Sequence, residues 1–229
     1  HVYETEAYDR MWDLPWGQSS CIRSASRLNT RTIVILSAGG AMETESWIGF
    51  PAAVVHSMYL GECSAQALAL LLTGAINFSG KLPFTIAKHL ADYESIKNYP
   101  ADYSSVSIAR IRDGQGDPQV RHIHQERYEE GLLVGYRQFD TQAKEVRFPF
   151  GHGLSYTRFT YSDLELELSG DQGRTVHIRC TVRNDGPLSG AEVVQLYVHA
   201  VQPKVFRVEQ ELKGFEKLML QPGQEAKVG

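Results

Sequence analysis

Cysteine is scarce in this sequence of 229 residues. Its three cysteines, Cys21, Cys63 and Cys180, lie far apart and in no CxxC or other metal-ligand spacing, so neither a disulfide scaffold nor a zinc site is expected. Long apolar runs are missing too. The longest, Ala65 to Leu72, contains Gln66 and falls well short of the roughly 18 residues of a membrane-spanning helix, so it reads as a buried helix. No excess of either charge is present: the formal net charge is −4, and the densest basic stretch (Arg110, Arg112, Arg121, His122) is broken by Asp113 and Asp117. Nothing electrostatic therefore points to nucleic acid or a membrane surface as partner. A GxGxxG or P-loop is absent after the first strand-like run, and Ala38-Gly-Gly40 alone does not make a nucleotide site. His122 and His124 alternate without a nearby carboxylate or thiolate and read as surface residues. No metal and no cofactor is expected.

What remains is an ordinary globular composition, 42% hydrophobic and 22% charged, which supports a packed core. Pro15 to Arg27 places Trp16, Cys21, Ile22 and Ala25 at helical spacing, with Pro15 suited to the first turn. Thr32 to Leu36 and Ala52 to Tyr59 are short apolar runs rich in β-branched residues. They read as parallel strands buried on both faces. A helix over 64–72 ends at Gly74, a short edge strand is expected at Phe84-Thr-Ile86, and 88–125 reads as an extended polar surface segment. From Phe159 the period changes to two. Leu164, Leu166 and Leu168 alternate with polar residues, as do Val176, Ile178, Cys180 and Val182, and turns follow at 184–190 and 221–223. That is the pattern of an antiparallel β-sandwich. The expected fold class is α/β, a partial three-layer α/β sandwich followed by a truncated fibronectin type III-like β-sandwich. The boundaries are 1–105 for the sandwich domain, 106–158 for a connecting segment and 159–229 for the β-domain. Both ends read as cuts through a longer protein.

Several segments carry a resemblance. Ile76-Asn-Phe-Ser-Gly-Lys-Leu-Pro-Phe-Thr85, Tyr128-Glu-Glu-Gly-Leu-Leu-Val-Gly-Tyr-Arg-Gln-Phe-Asp140 and Phe148-Pro-Phe-Gly-His-Gly-Leu-Ser-Tyr-Thr157 resemble, in order, three elements of glycoside hydrolase family 3. Gly190 to Tyr197 and Glu211 to Lys217 resemble its fibronectin type III-like module. Phe78 stands where the family has proline, and Leu60-Gly-Glu-Cys-Ser-Ala65 departs from its glycine-rich loop.

The resemblance implies the rear part of a retaining β-glycosidase acting on terminal non-reducing β-D-glucosyl residues, with a β-xylosidase of the same family as alternative. It further implies a barrel domain upstream, absent here, that supplies the nucleophilic aspartate; β-linked oligosaccharides or glucosides would be the substrates. Retaining enzymes hold nucleophile and acid/base about 5–5.5 Å apart, so two carboxylates from different domains must meet. Glu4-Thr-Glu-Ala-Tyr-Asp-Arg10 resembles the family's E-G-x-D-R element, and aligning Asp9-Arg10 puts Glu6 on the acid/base, with Glu4 as alternative. Ala7 replaces the usual glycine. The bland reading is that both glutamates are solvated loop charges. Trp47 matches a family tryptophan, read either as a sugar-stacking platform or as core or domain-interface packing. Tyr128, Glu130, Tyr136 and Arg137 are expected to tie a long segment down. His152 is expected to fix a turn, and Asn77 and Lys81 to serve the turn after a helix. A second class of function, a non-catalytic carbohydrate- or partner-binding module, stays open. Secretion would suit a polysaccharide-degrading enzyme, but no residue here bears on it.

Overall fold

The computed structural model describes residues 11–98, 128–170 and 175–229. In chain order the elements are α1 (Gln18–Leu28), β1 (Ile33–Leu36), β2 (Ala53–His56), α2 (Ser64–Leu72), β3 (Ile86–Ala87), α3 (Ser95–Asn98), α4 (Tyr136–Thr141), β4 (Val146–Phe148), β5 (Phe159–Ser169), β6 (Thr175–Asn184), β7 (Gly190–Val198), β8 (Glu211–Leu220) and β9 (Glu225–Val228). Contacts divide them between two compact units, each discontinuous in sequence. The first takes the chain up to Tyr59, Phe84–Pro149 and Lys204–Glu209; the second takes Leu60–Pro83, Phe150–Pro203 and Gln210–Gly229.

In the first unit, helix α1 starts later than the sequence suggests. Trp16 (φ 53, ψ 31) and Gly17 (φ 71, ψ 19) are both left-handed, and the Gln18 N–H donates to Pro15 O. These are the angles of a type I′ turn. Gly17 adopts positive φ without strain, so the turn displaces the first helical turn expected from Pro15. The expected apolar face of Trp16, Cys21, Ile22 and Ala25 is corrected accordingly: only Ile22 is even partly buried, and Ser26 sits deepest. Strands β1 and β2 pair in parallel, from Ile33 opposite Ala53 to Leu36 opposite His56. Burial on both faces is not observed. Val34 and Leu36 point into a core with Ala38, Met42 and Trp47, whereas strand alternation leaves Ile33 and Ile35 on the other face, 49% and 40% exposed. Burying one large apolar side chain is worth about 1.5–3 kcal/mol, so the Trp47 cluster anchors this unit.

The stretch after Lys88 is described only as far as Asn98, and there it is not extended; residues 99–125 of the expected segment lie outside the described residues. Its described part holds a 3₁₀ turn, Leu90–Asp92, and helix α3. Tyr93 explains why. Its hydroxyl donates to Thr85 O (2.9 Å) and accepts from Ala87 N (3.1 Å), and its ring meets Trp12 and Phe139 edge to face. The buried Gln138 of α4 donates to Asp92 O (2.6 Å) and accepts from Glu94 N (3.1 Å), so the turn is fastened on both sides. The edge strand is Ile86–Ala87, overlapping the expected Phe84-Thr-Ile86 only at Ile86, and runs antiparallel to β4.

In the second unit, α2 matches its expected range but is half-buried rather than buried. It ends at Gly74 (φ 76), whose N–H donates to Leu71 O while Ile76 N donates to Leu70 O, a left-handed glycine closing the helix. Two antiparallel sheets, ordered β5-β6-β9 and β7-β8, share a core of Val182, Leu220 and Val228, with Phe159, Val194 and Leu218 packed against it. The alternating leucines of β5 do not join that core. A register shift between Ser162 and Glu165 follows Asp163 (φ 50), and Leu164, Leu166 and Leu168 are 68%, 65% and 69% exposed.

Candidate functional site

Residues singled out by sequence converge in the second unit, where they are held chiefly by polar bonds. Asn77 Oδ1 accepts from Ser155 Oγ (3.1 Å) and Tyr156 N (2.8 Å), while its Nδ2 donates to Ser189 O (3.1 Å). Lys81 Nζ donates to Gly153 O (3.0 Å) and pairs with Glu192 (3.1 Å), a salt bridge only 17% and 13% exposed. Backbone bonds of 2.8 Å run from Leu82 N to His152 O and from Gly151 N to Leu82 O. Gln195 Nε2 adds a bond to Gly151 O (3.2 Å). The motif glycines are required by contact: a Cβ on Gly153 would stand 2.0 Å from Gly80 O. Gly151 combines φ +79 with a Cβ position 2.2 Å from Gln195 Oε1. Tyr161 OH donates to Glu192 Oε1 (3.1 Å), and burial first, then the Glu192 charge, pushes its phenol well above the usual range. Burial, then the charge of Lys81, holds the imidazole of His152 below its ordinary value.

Asn184 is the deepest of these ties. It is 0% exposed. Its Oδ1 accepts from Thr157 Oγ1 (2.6 Å) and Gly186 N (3.1 Å), and its Nδ2 donates to Leu188 O (2.8 Å) and Leu220 O (3.0 Å). Every hydrogen-bonding position of the amide is filled. Thr157 closes the third sequence motif, so that motif ends on a buried anchor. These residues hold loops and strands in place; their donors and acceptors are engaged within the protein.

The residues expected to perform chemistry are distributed differently. Glu6 and Glu4 lie outside the described residues, as do His122 and His124. Trp47 is 0% exposed, packed in the first unit's core, and its Nε1 donates to Glu43 O (3.0 Å). Its ring offers no face to a sugar. Beside it, Glu45 accepts from Arg147 Nε (2.6 Å) and NH2 (2.5 Å), a two-pronged pair that lowers the Glu45 carboxyl below its usual range. Glu130 accepts from Asn98 Nδ2 (2.8 Å), as expected of a tie, whereas Tyr128 is exposed. Glu62 and Cys63 sit exposed in the turn before α2. Among the described residues, no group of three His, Cys, Asp or Glu is placed to hold a metal ion, and no helix is long and apolar enough to cross a membrane. Trp16 was read as part of a helix face; the structure exposes it on the tight turn instead. The Pro-Trp-Gly sequence was the available signal.

Comparison with known proteins agrees with this pattern of motifs. Residues 1–156 match the model of the glycosyl hydrolase family 3 C-terminal domain, and 192–229 match a fibronectin type III-like domain. Thermostable beta-glucosidase B of Acetivibrio thermocellus is 37% identical over 228 residues, covering 99% of this chain and 27% of that protein. A beta-glucosidase of Rhizobium radiobacter is 39% identical over 212 residues, 92% of this chain and 24% of that protein. The crystal structure of a GH3 beta-glucosidase from Bifidobacterium adolescentis superposes with a TM-score of 0.84 at 33% identity, over 99% of this chain and 31% of that one. The chain thus spans about a quarter of the length of these curated relatives.

Proposed function

We propose that this chain, which belongs to glycosyl hydrolase family 3, is the rear part of a retaining β-glucosidase and supplies its acid/base while an upstream barrel supplies the nucleophile. One observation carries the reading. Beta-glucosidases match the chain almost end to end, yet the chain accounts for about a quarter of their length. Within it, the partial α/β sandwich would occupy 1–105, a connecting segment 106–158 and the incomplete fibronectin-like domain 159–229. Glu6 is the acid/base, with Glu4 as alternative. The group must be protonated when the glycosidic oxygen departs and ionised when water attacks, which demands a carboxyl whose pKa is tuned by its surroundings. The anchors around Asn77, Lys81 and Asn184 perform no chemistry; they fix the loops and strands of the second unit.

The experiment uses the enzyme with its upstream region, assayed on aryl β-glucosides whose leaving groups differ in acidity. Glu6→Gln is expected to lower kcat/KM by about 10²–10⁴-fold on a poor leaving group, which needs the proton, and much less on a dinitrophenyl glucoside, which does not but whose kcat is then limited by water attack without its base. Added azide should restore turnover as the β-glucosyl azide. If Glu4→Gln shows this signature instead, the assignment moves to Glu4; if neither does, the proposal fails. The chain alone should not turn over these substrates, because the covalent step has no attacking group. Parallel assays on aryl β-xylosides decide between the sugars.

A further inference from the structure

Of the four asparagines, only Asn77 opens an N-x-Ser/Thr sequence, Asn77-Phe78-Ser79, the acceptor pattern for N-linked glycans. Phe78 creates it, because a proline in the middle position would abolish the acceptor. Such acceptors belong to surface loops, where the amide nitrogen is free. The fold does the opposite with this one. Asn77 is partly buried, and its Nδ2 donates to Ser189 O (3.1 Å). The same nitrogen lies so close to Gly190 that a Cβ there would stand 2.7 Å from it. In an N-linked asparagine the sugar carbon replaces one amide hydrogen and lies beside Oδ1 in the amide plane. Here Oδ1 already takes two donors, Ser155 Oγ (3.1 Å) and Tyr156 N (2.8 Å), which fill both of its acceptor positions. Phe78 fastens the same loop, its ring edge to face with Tyr156 at 5.5 Å. A sugar on Nδ2 thus displaces at least one of these partners, and with it the tie between the loop after α2 and the chain entering β7.

We infer that Asn77 is an N-glycan acceptor in the unfolded chain only, and that attachment of the glycan and folding of the second unit exclude one another. Every group that encloses the amide comes from residues 155–190, so an unfolded chain presents Asn77 freely to a glycosyltransferase. Passage through a compartment that attaches N-glycans therefore costs this unit its fold. Ser79 decides the outcome: its hydroxyl completes the acceptor sequence and takes no part in the bonds that hold Asn77. The inference is independent of the β-glucosidase reading.

The test makes the protein with its upstream region in the secretory pathway of a yeast, as the unmodified sequence, Ser79→Ala and Ser79→Thr. Mass spectrometry then maps the Asn77 peptide in the secreted and the retained fractions. The glycan should sit on Asn77 in retained protein and be missing from Asn77 in secreted, folded protein. Ser79→Ala removes the acceptor and leaves Asn77 in place, so it should raise the secreted yield several-fold. Ser79→Thr keeps the acceptor and should give no such gain. Made in the bacterial cytoplasm, where no such glycan is attached, the three proteins should melt alike. If Ser79→Ala itself proves unstable there, the fraction in which the unmodified protein carries its Asn77 glycan decides alone. Secreted protein bearing a glycan on Asn77 overturns the inference. So does an Asn77 left bare in every fraction of both the unmodified and the Ser79→Thr protein, and so do equal secreted yields from stable proteins with and without the acceptor.

Discussion

Replacing Asn184 with alanine should be among the most damaging single changes in the second unit. The side chain is 0% exposed and serves Thr157, Gly186, Leu188 and Leu220 at 2.6–3.1 Å. Truncation strands the buried Gly186 N–H and Leu220 carbonyl, whereas the carbonyl of the exposed Leu188 can turn to water and the Thr157 hydroxyl can rotate to seek another acceptor. Each stranded buried group costs about 1–3 kcal/mol. A water entering the vacated space would recover part of this. The net expectation is about 3 kcal/mol, or a Tm lower by roughly 6–12 °C for a chain of this size. Two companions sharpen the test. Thr157→Val removes one bond and should cost only about 1 kcal/mol. Asn184→Asp keeps the shape but turns a carboxylate oxygen toward two carbonyls, so it should match or exceed the alanine variant near neutral pH. Thermal melting and urea titration of the three variants provide the measurement. A fall below about 2 °C for Asn184→Ala would refute the reasoning, because the amide could not then be organising its neighbours.

Two further outcomes follow from the same region. Lys81→Met should destabilise the protein by about 2 kcal/mol in urea titration, since it leaves the Glu192 carboxylate largely buried without its cation; Lys81→Met combined with Glu192→Gln should recover part of that loss. The His152 imidazole, depressed from 6.5 by burial and by Lys81, binds its proton less readily folded than unfolded. Its contribution is therefore complete above the unfolded value and lost as pH falls below 6.5 toward the folded value. Tm measured between pH 7.5 and 5 should drop less steeply for His152→Gln than for the unmodified protein; equal slopes would exclude the imidazole as a source of acid sensitivity.

Much of the fold was legible because it rests on local signals. The β-branched run at Ile33–Leu36, the helix ending at Gly74 and the alternation in β6 each follow from side-chain period or backbone preference. Failures came where a distant partner decides. Nothing local to Tyr93 says that its hydroxyl will bridge Thr85 and Ala87, and so the segment after Lys88 looked like surface. Nothing in the leucines of β5 reveals that they stay exposed. Trp16 failed for another reason: apolar spacing outweighed the turn signal of the glycine beside it. Of the site, the anchors Asn77, Lys81 and His152 were legible as turn residues, but their partners were not, because side-chain ties over such separations leave no periodic trace.

The alternation of the chain between two units has a kinetic consequence. Asn77 and Ser189 are 112 residues apart, and Lys81 and Glu192 are 111 apart. During synthesis, α2 and the loop after it emerge long before the strand that secures them, and the first unit is itself incomplete until residues 204–209 have passed. High contact order of this kind slows folding and prolongs the exposure of apolar surface. Ending the chain at the motif boundary after Arg158 would remove Ser189, Glu192 and Asn184 together, leaving Asn77, Lys81 and Thr157 to face water. A nascent chain in that condition is a natural client for chaperones, and low temperature during expression should improve its yield more than any change to its surface.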